Sequence, residues 1–167
     1  MSYYRSFGLP VVIIRPFNTY GPRQSARAII PTIITQILSG KKELKLGNLA
    51  PLRDFTYVKD TTSGFLQAFR TKEFRGEAVN LGTGAEISIK DLALKIASLM
   101  GKKIKLVQEA RRTRGAKTEV ERLCSDNSKM KAYTDWKPRY DLDAGLKETI
   151  VWLRKNQDGY KSGVYNV

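Results

Sequence analysis

The sequence predicts an α/β protein in which short, buried, parallel strands alternate with amphipathic helices. Three observations carry this. Leu9-Pro10-Val11-Val12-Ile13-Ile14 is a continuous apolar run rich in β-branched residues, the pattern of a parallel strand covered on both faces. Further short strand-like runs alternate along the chain with segments whose apolar residues recur at helical spacing. Glycines at positions 8, 40 and 101 stand where helical periodicity stops, as expected of residues that accept the left-handed conformation.

In chain order, Ser2 to Phe7 reads as the last turns of a helix closed by Gly8, and the run ending at Ile14 as a strand. A lone buried parallel strand needs neighbours, so the chain is expected to start inside a larger α/β domain. After a polar segment from Arg15 to Ala26, Ile29 to Leu38 is a helix with Gly40 beyond its end, and Leu44 to Leu46 a short strand. Asp54-Phe55-Thr56-Tyr57-Val58 alternates and predicts a single strand, after which Asp60 or Thr61 is expected to cap a helix with Phe65, Leu66 and Phe69 on one side. Ala78 to Leu81 is a strand followed by the turn Gly82-Thr83-Gly84. Ser88 with Asp91 three residues on forms a capping box for a helix carrying Ile89, Leu92, Ala93, Ile96 and Leu99. Ile104 to Val107 is a strand, Ser125 to Ala132 a short helix, and the last helix turns Leu142, Leu146, Ile150 and Leu153 inward. Gln157 to Val167 reads as a frayed tail, and no repeat or low-complexity segment is found.

Composition removes several function classes. Histidine is absent, which excludes imidazole bases, imidazole metal ligands and Ser-His triads, and a single cysteine, Cys124, excludes an internal disulfide. No apolar run approaches membrane-spanning length and the first residues lack the pattern of a signal peptide, so the chain reads as soluble and globular. The net charge of +14 requires a polyanionic partner to be considered, whether nucleic acid, an anionic membrane or a phosphorylated small molecule.

Three segments carry candidate chemistry. Arg15-Pro16-Phe17-Asn18-Thr19-Tyr20-Gly21-Pro22-Arg23 follows a buried strand directly, where doubly wound folds bind ligands, and Asn18 can donate to a phosphate oxygen; the competing reading is a rigid crossover. Arg53 enters the strand-like run from Leu52 to Val58, and an arginine fixed by a strand can fork two donors onto a pyrophosphate; the competing reading is an Arg53–Asp54 surface pair. Arg111, Arg112, Arg114 and Lys117 form a basic cluster that is a phosphate clamp in a pocket and a nucleic-acid patch or a solvated face elsewhere, and no aromatic residue interleaves with it. Two apparent motifs fail. Gly82-Thr83-Gly84 has Ile87 where a dinucleotide loop needs its third glycine, and Tyr133 to Lys137 spells Y-x-x-x-K but runs into Pro138, so the two cannot share one helical face.

Together these segments resemble the C-terminal half of the extended short-chain dehydrogenase/reductase family, the NAD-dependent nucleotide-sugar epimerases and dehydratases. The likeness rests on R-P-x-N-x-Y-G-P-R from Arg15 to Arg23, on G-x-x-x-x-x-R-D-F-x-Y-V-x-D from Gly47 to Asp60, on A-V-N-L-G-T-G from Ala78 to Gly84, and on T-E-V-x-R-L from Thr118 followed by W-x-P at Trp136. The wording of the first motif looks most like the 4,6-dehydratases.

That resemblance implies an incomplete Rossmann sheet plus a small α/β substrate-binding domain: residues 1–26 as a remnant of the NAD-binding domain, 27–156 as mainly the nucleotide-sugar domain, and 157–167 as tail. It implies that the catalytic tyrosine and lysine and the glycine-rich NAD loop would precede Met1, so that this portion is inactive alone. By the same carry-over Pro16 and Phe17 lie beside the nicotinamide and Asn18 binds the diphosphate. Arg27, Ala28 and Ile29, with Leu44, Lys45 and Leu46, frame the nucleotide base, partly through backbone groups. Arg53 and Arg114 hold the diphosphate, with Asn80 near the nucleoside; Arg114 departs from the family's R-P by being followed by Gly115. The implied reaction is hydride abstraction from the hexose C4 to NAD, then dehydration or epimerisation, in a cytoplasmic homo-oligomer that binds no metal and neither membrane nor nucleic acid. The alternative class is a small basic nucleic-acid-binding domain.

Overall fold

Three α-helices and a set of short parallel strands enclose the main core, and a smaller core lies under a second strand pair. The computed structural model describes residues 2–109 and 119–160. Its elements run α1 (Ser2–Phe7), β1 (Ile13–Pro16), β2 (Thr19–Tyr20), α2 (Ile29–Leu38), β3 (Glu43–Leu46), β4 (Leu52–Arg53), β5 (Thr56–Tyr57) and α3 (Val58–Arg70). A 3-10 turn at Lys72–Phe74 leads to β6 (Ala78–Leu81), β7 (Ile87–Ser88), α4 (Ile89–Leu99) and β8 (Lys105–Gln108). β9 (Arg122–Leu123), α5 (Ser128–Tyr133), α6 (Leu142–Lys155) and a 3-10 turn at Gln157–Gly159 complete the described chain.

The expected parallel pairing is present. β1 runs parallel to β6 with Ile13 opposite Ala78, β2 parallel to β5, and β3 parallel to β8 with Glu43 opposite Lys105. β4 lies between β7, antiparallel to it, and β9, parallel. The fold class, mixed α/β with parallel sheet pieces, is therefore the one the hydrophobic pattern predicts.

The main core joins Ile30, Ile33, Ile34 and Ile37 of α2, Leu44 and Leu46 of β3, Leu92 and Ile96 of α4, and Leu146, Ile150 and Leu153 of α6. Tyr20 and Tyr57 meet within it at a tilt of 59°, their ring centroids 5.6 Å apart. This packing needs Gly145: a Cβ there would collide with the Tyr20 hydroxyl and sit 3.0 Å from the Tyr57 ring. The second core packs Ala68, Phe74, Val79, Leu81, Met130 and Trp136.

Several sequence expectations are corrected. Asp54 to Val58 is not one strand: β4 ends at Arg53, β5 covers only Thr56–Tyr57, and the two belong to different sheets. The chain changes sheets between Asp54, whose N–H still donates to Leu123 O at 2.9 Å, and Thr56, whose N–H donates to Asn18 O at 3.2 Å. Neither Asp60 nor Thr61 caps α3. The helix starts at Val58, and Asp60, 1% exposed, accepts from the Arg139 and Tyr140 backbone N–H groups, both at 3.0 Å. Phe65, Leu66 and Phe69 do share one side of α3, but that side faces outward, because Asp60, Thr61, Gly64 and Ala68 take the inner one. β1 lies two residues later than expected and is covered poorly: Ile13, Arg15 and Pro16 are exposed and Ile14 half-buried. The short helix is Ser128–Tyr133, so Tyr133 closes it and Lys137 lies outside, as Pro138 requires. The expected frayed tail is tied down at its start, where the Tyr160 hydroxyl donates to Gln24 O at 2.6 Å and its ring meets Trp152. No helix of the described residues is long and apolar enough to cross a membrane.

Candidate functional site

Chemistry concentrates where β1, β4 and β6 end. Asp54 is the centre of this region. It is fully buried, and its carboxylate accepts from Thr83 N (3.1 Å), Thr83 Oγ1 (2.5 Å), Gly84 N (2.9 Å) and Ser125 N (3.1 Å). A carboxylate taken out of water has to replace its hydration with such a set of donors. Gly82 is small for the same reason: a Cβ there would lie 2.5 Å from Ser125 Cβ and 2.7 Å from Asp54 Oδ2.

The backbone of Asp54 also holds Asn18. The Asn18 Nδ2 donates to Asp54 O at 2.9 Å, and Asn18 O accepts from Thr56 N at 3.2 Å. Phe17 N donates to Leu81 O at 2.9 Å, so the loop after β1 is fastened to both neighbouring segments. Thr56 Oγ1 and Ser125 Oγ are buried here without a hydrogen-bond partner.

Arg53 leaves this frame on the opposite side from Asp54, as the alternation of strand side chains dictates. The surface pair with Asp54 is therefore not formed. Instead Arg53 Nη2 donates to Glu119 Oε1 at 3.0 Å and Nη1 to Leu52 O at 2.9 Å, with both charged side chains only 14% exposed. Nε and one Nη2 hydrogen have no acceptor among the described residues, so the guanidinium is oriented but not exhausted.

The other candidate residues divide. Pro16 is exposed at the end of β1, and Phe17 is half-buried beside it. Arg27 is exposed, Ala28 and Ile29 are half-buried, and α2 begins here with no side-chain cap, leaving its first N–H groups available. Leu44 and Leu46 point into the main core, and the Lys45 N–H and C=O are both taken by the Gln36 amide, at 3.0 and 3.2 Å. Of the three, only the Lys45 side chain faces out, 3.8 Å from Glu109. Strand alternation and Gln36 thus leave the Lys45 side chain, and the second lone pair of its carbonyl, as the groups on this strand open to a ligand. Asn80 turns its amide to Asp126 O at 3.3 Å. Arg114, with Arg111, Arg112 and Lys117, lies outside the described residues.

Sequence reasoning missed Asp54, Thr83, Ser125 and Glu119. A signal existed for the first: an acidic residue inside a buried aromatic run needs donors, and the glycine turn after Leu81 offers free N–H groups.

Away from this region, Tyr57 and Lys59 donate to Glu148 at 2.6 and 2.8 Å, and Lys59 also reaches the Tyr140 hydroxyl at 3.2 Å. The bond from Lys59 and then that from Tyr57 hold the Glu148 carboxyl below the ordinary range, while burial pushes the Tyr57 and Tyr20 phenols up. No group of acidic or sulfur ligands able to hold a metal occurs among the described residues.

Known proteins resemble this chain in sequence and fold. The chain is 29% identical to a mouse dTDP-D-glucose 4,6-dehydratase across 96% of its own length and 46% of that protein. It is 35% identical to a Bacillus cytotoxicus UDP-N-acetyl-alpha-D-glucosaminuronate decarboxylase, across 91% and 49%. Its fold superposes on dTDP-glucose 4,6-dehydratase from Bacillus anthracis in complex with NAD with a TM-score of 0.82 at 33% identity, covering 95% of this chain and 49% of that one. UDP-glucuronic acid 4-epimerase from Bacillus cereus, in complex with UDP-glucuronic acid and NAD, gives 0.82 at 29% identity, covering 93% and 48%. The chain thus spans about half the length of the relatives it matches. With the GDP-mannose 4,6 dehydratase family model matching residues 1–149, the chain belongs to that family, within the NAD-dependent extended short-chain dehydrogenases/reductases.

Proposed function

We propose that this chain is the nucleotide-sugar-binding portion of an NAD-dependent 4,6-dehydratase or epimerase, with Arg53 and Asn18 receiving the substrate diphosphate. The observation that carries the reading is the division of labour at Arg53-Asp54. Asp54 is buried and saturated by the turn at Gly82 to Gly84 and by Ser125, which fixes the backbone on which Arg53 and Asn18 sit. Arg53 is then presented half-buried with unused donors. Such a guanidinium meets a diphosphate with little further ordering, and a fork onto two oxygens distinguishes diphosphate from a single anion. The open N-terminal turn of α2, with Arg27 beside it, suits the nucleoside end. Arg114 is proposed as a second diphosphate ligand and Asn80 as a nucleoside neighbour. Residues 1–26 are read as part of the dinucleotide-binding domain, 27–156 as mainly the substrate domain and 157–167 as tail.

NAD, present in the two solved relatives, would supply a hydride acceptor for oxidation at the hexose C4. The described residues fit it only at an edge. Pro16 and Phe17 are proposed as neighbours of the nicotinamide, whereas the Thr83 and Gly84 N–H groups are already bound to Asp54 and are not offered to a pyrophosphate. The chain alone is therefore proposed to bind nucleotide sugar without turning it over.

Titration with UDP, dTDP and inorganic pyrophosphate tests this. Saturable, base-selective binding with mild salt dependence supports the reading. Equal binding of every polyanion, falling log-linearly with salt, contradicts it and favours a nucleic-acid surface.

A further inference from the structure

The tripeptide Gly-Lys-Lys occurs twice, at residues 40–42 and 101–103. In the structure the two copies are the same device. Gly40 (φ +79°) ends α2 and leads into β3, and Gly101 (φ +65°) ends α4 and leads into β8. β3 and β8 are parallel neighbours, and Lys105 N donates to Lys42 O at 2.8 Å, so the two lysine-bearing turns lie alongside each other. Arg154, in the last turn of α6, joins them. These residues line a groove of about 540 Å³ whose floor is Ile37, Leu38 and Met100.

Among the described residues no acidic side chain lines the groove. Lys42, Lys102, Lys103 and Arg154 have no carboxylate partner among the described residues, whereas Lys45, Lys59, Lys95, Lys105 and Lys129 each have one. The groove opens at the N-terminal ends of β3 and β8, and the candidate diphosphate site lies at other strand ends, around Arg53 and Asn18. Lysines beyond a helix C-terminus also offset its dipole. That role alone explains neither the apolar floor nor the convergence of cations from three helices on one concavity.

We propose that this groove docks an acidic peptide segment of a partner protein, with carboxylates on the cationic rim and one aliphatic side chain on the apolar floor. The chemistry selects this occupant. Among the described residues no aromatic side chain lines the groove, so nucleobases find no stacking surface there. Its concavity does not match a flat lipid surface. A second copy of a chain of net charge +14 brings the wrong sign. In an extended peptide, alternate carboxylates stand roughly 7 Å apart on one face, a spacing that flexible lysines from two adjacent turns can meet.

The test uses the whole chain and three fluorescent probes: a short peptide of glutamates around a central leucine, the all-glutamate peptide of the same length, and a mixed-sequence single-stranded oligonucleotide. The leucine peptide should bind about tenfold more tightly than the other two, and Lys42→Gln/Lys103→Gln should weaken it about tenfold. Lys90→Gln/Lys131→Gln, which removes equal charge elsewhere, should leave it unchanged. Thermal melting of both double variants separates docking from helix stabilisation. Four results would overturn the proposal: no peptide binding, equal losses in the two double variants, preference for the oligonucleotide, or a lower melting temperature for Lys42→Gln/Lys103→Gln at unchanged peptide affinity.

Discussion

The β3–β8 and β1–β6 pairs are both parallel, both four rungs long, and differently finished. Leu44 and Leu46 of β3 are buried in one core with residues of helices α2, α4 and α6. β1 has a ladder on one edge only among the described residues, Ile13 is exposed, and Phe65, Leu66 and Phe69 stand outward on α3, the helix packed beside it. Local sequence specifies strand conformation equally well in both pairs. It does not specify cover, which comes from elements distant in the chain. The finished pair is covered by helices of its own chain, whereas beside the open one large apolar side chains remain exposed.

A large effect is expected at the buried carboxylate that ties the turn after β6 to Ser125, beside the open pair. Asp54→Ala would take the acceptor from the buried Ser125 N–H and from the part-buried Thr83 and Gly84 N–H groups, and should cost roughly 2–4 kcal/mol in urea unfolding. A loss under about 1 kcal/mol would mean that Asp54 does not organise the site. Next, Ile33→Ala on α2, in the finished core, should cost roughly 2–5 kcal/mol, and Ile14→Ala in the open pair less than about 1 kcal/mol. Equal losses would show β1 to be buried in solution.

Much of this fold was legible beforehand. α2, α4 and α6 follow from apolar spacing and glycine stops, and Ser88 does cap α4, accepting from Asp91 N at 3.0 Å, although Ser88 Oγ donates to the Asp91 carboxylate where a full box would have that carboxylate reach the Ser88 N–H. What escaped was non-local. Alternation marks Arg53 and Asp54 as facing opposite ways, but nothing adjacent says that Asp54 will find Ser125 and Arg53 will find Glu119. Likewise Asp60 looks like a helix cap until Arg139 and Tyr140, far along the chain, claim its oxygens. Buried charges are placed by remote donors, and local pattern reading is blind to them.

Smaller effects sharpen the comparison. The exposed apolar face predicts self-association: light scattering should show a dimer or larger at high concentration, and Phe65→Ser/Phe69→Ser should shift it toward monomer. A clean wild-type monomer contradicts that use of the face. In the finished lobe, Glu148 is held below the ordinary carboxyl range by Lys59 and then Tyr57. A depressed carboxyl adds stability above its unfolded value, near ~4.3, and loses it as pH falls through the lower folded one. Wild type and Glu148→Gln should therefore differ in Tm near neutrality and converge in acid below that range. A difference unchanged in acid would show that the Lys59–Glu148 pair contributes nothing.

The central claim is that Arg53 is a diphosphate ligand presented by a fixed frame, and calorimetry with UDP and dTDP tests it most directly. A charge-assisted bond in a half-buried site is worth roughly 1.5–3 kcal/mol, and about 1.4 kcal/mol is a decade of affinity. Arg53→Ala should weaken binding about tenfold to a hundredfold, Arg53→Lys should recover only part because a point charge cannot fork onto two oxygens, and the exposed Lys131→Ala should change nothing. Equal losses for Arg53→Ala and Lys131→Ala would mean that binding follows net charge, and would contradict the account.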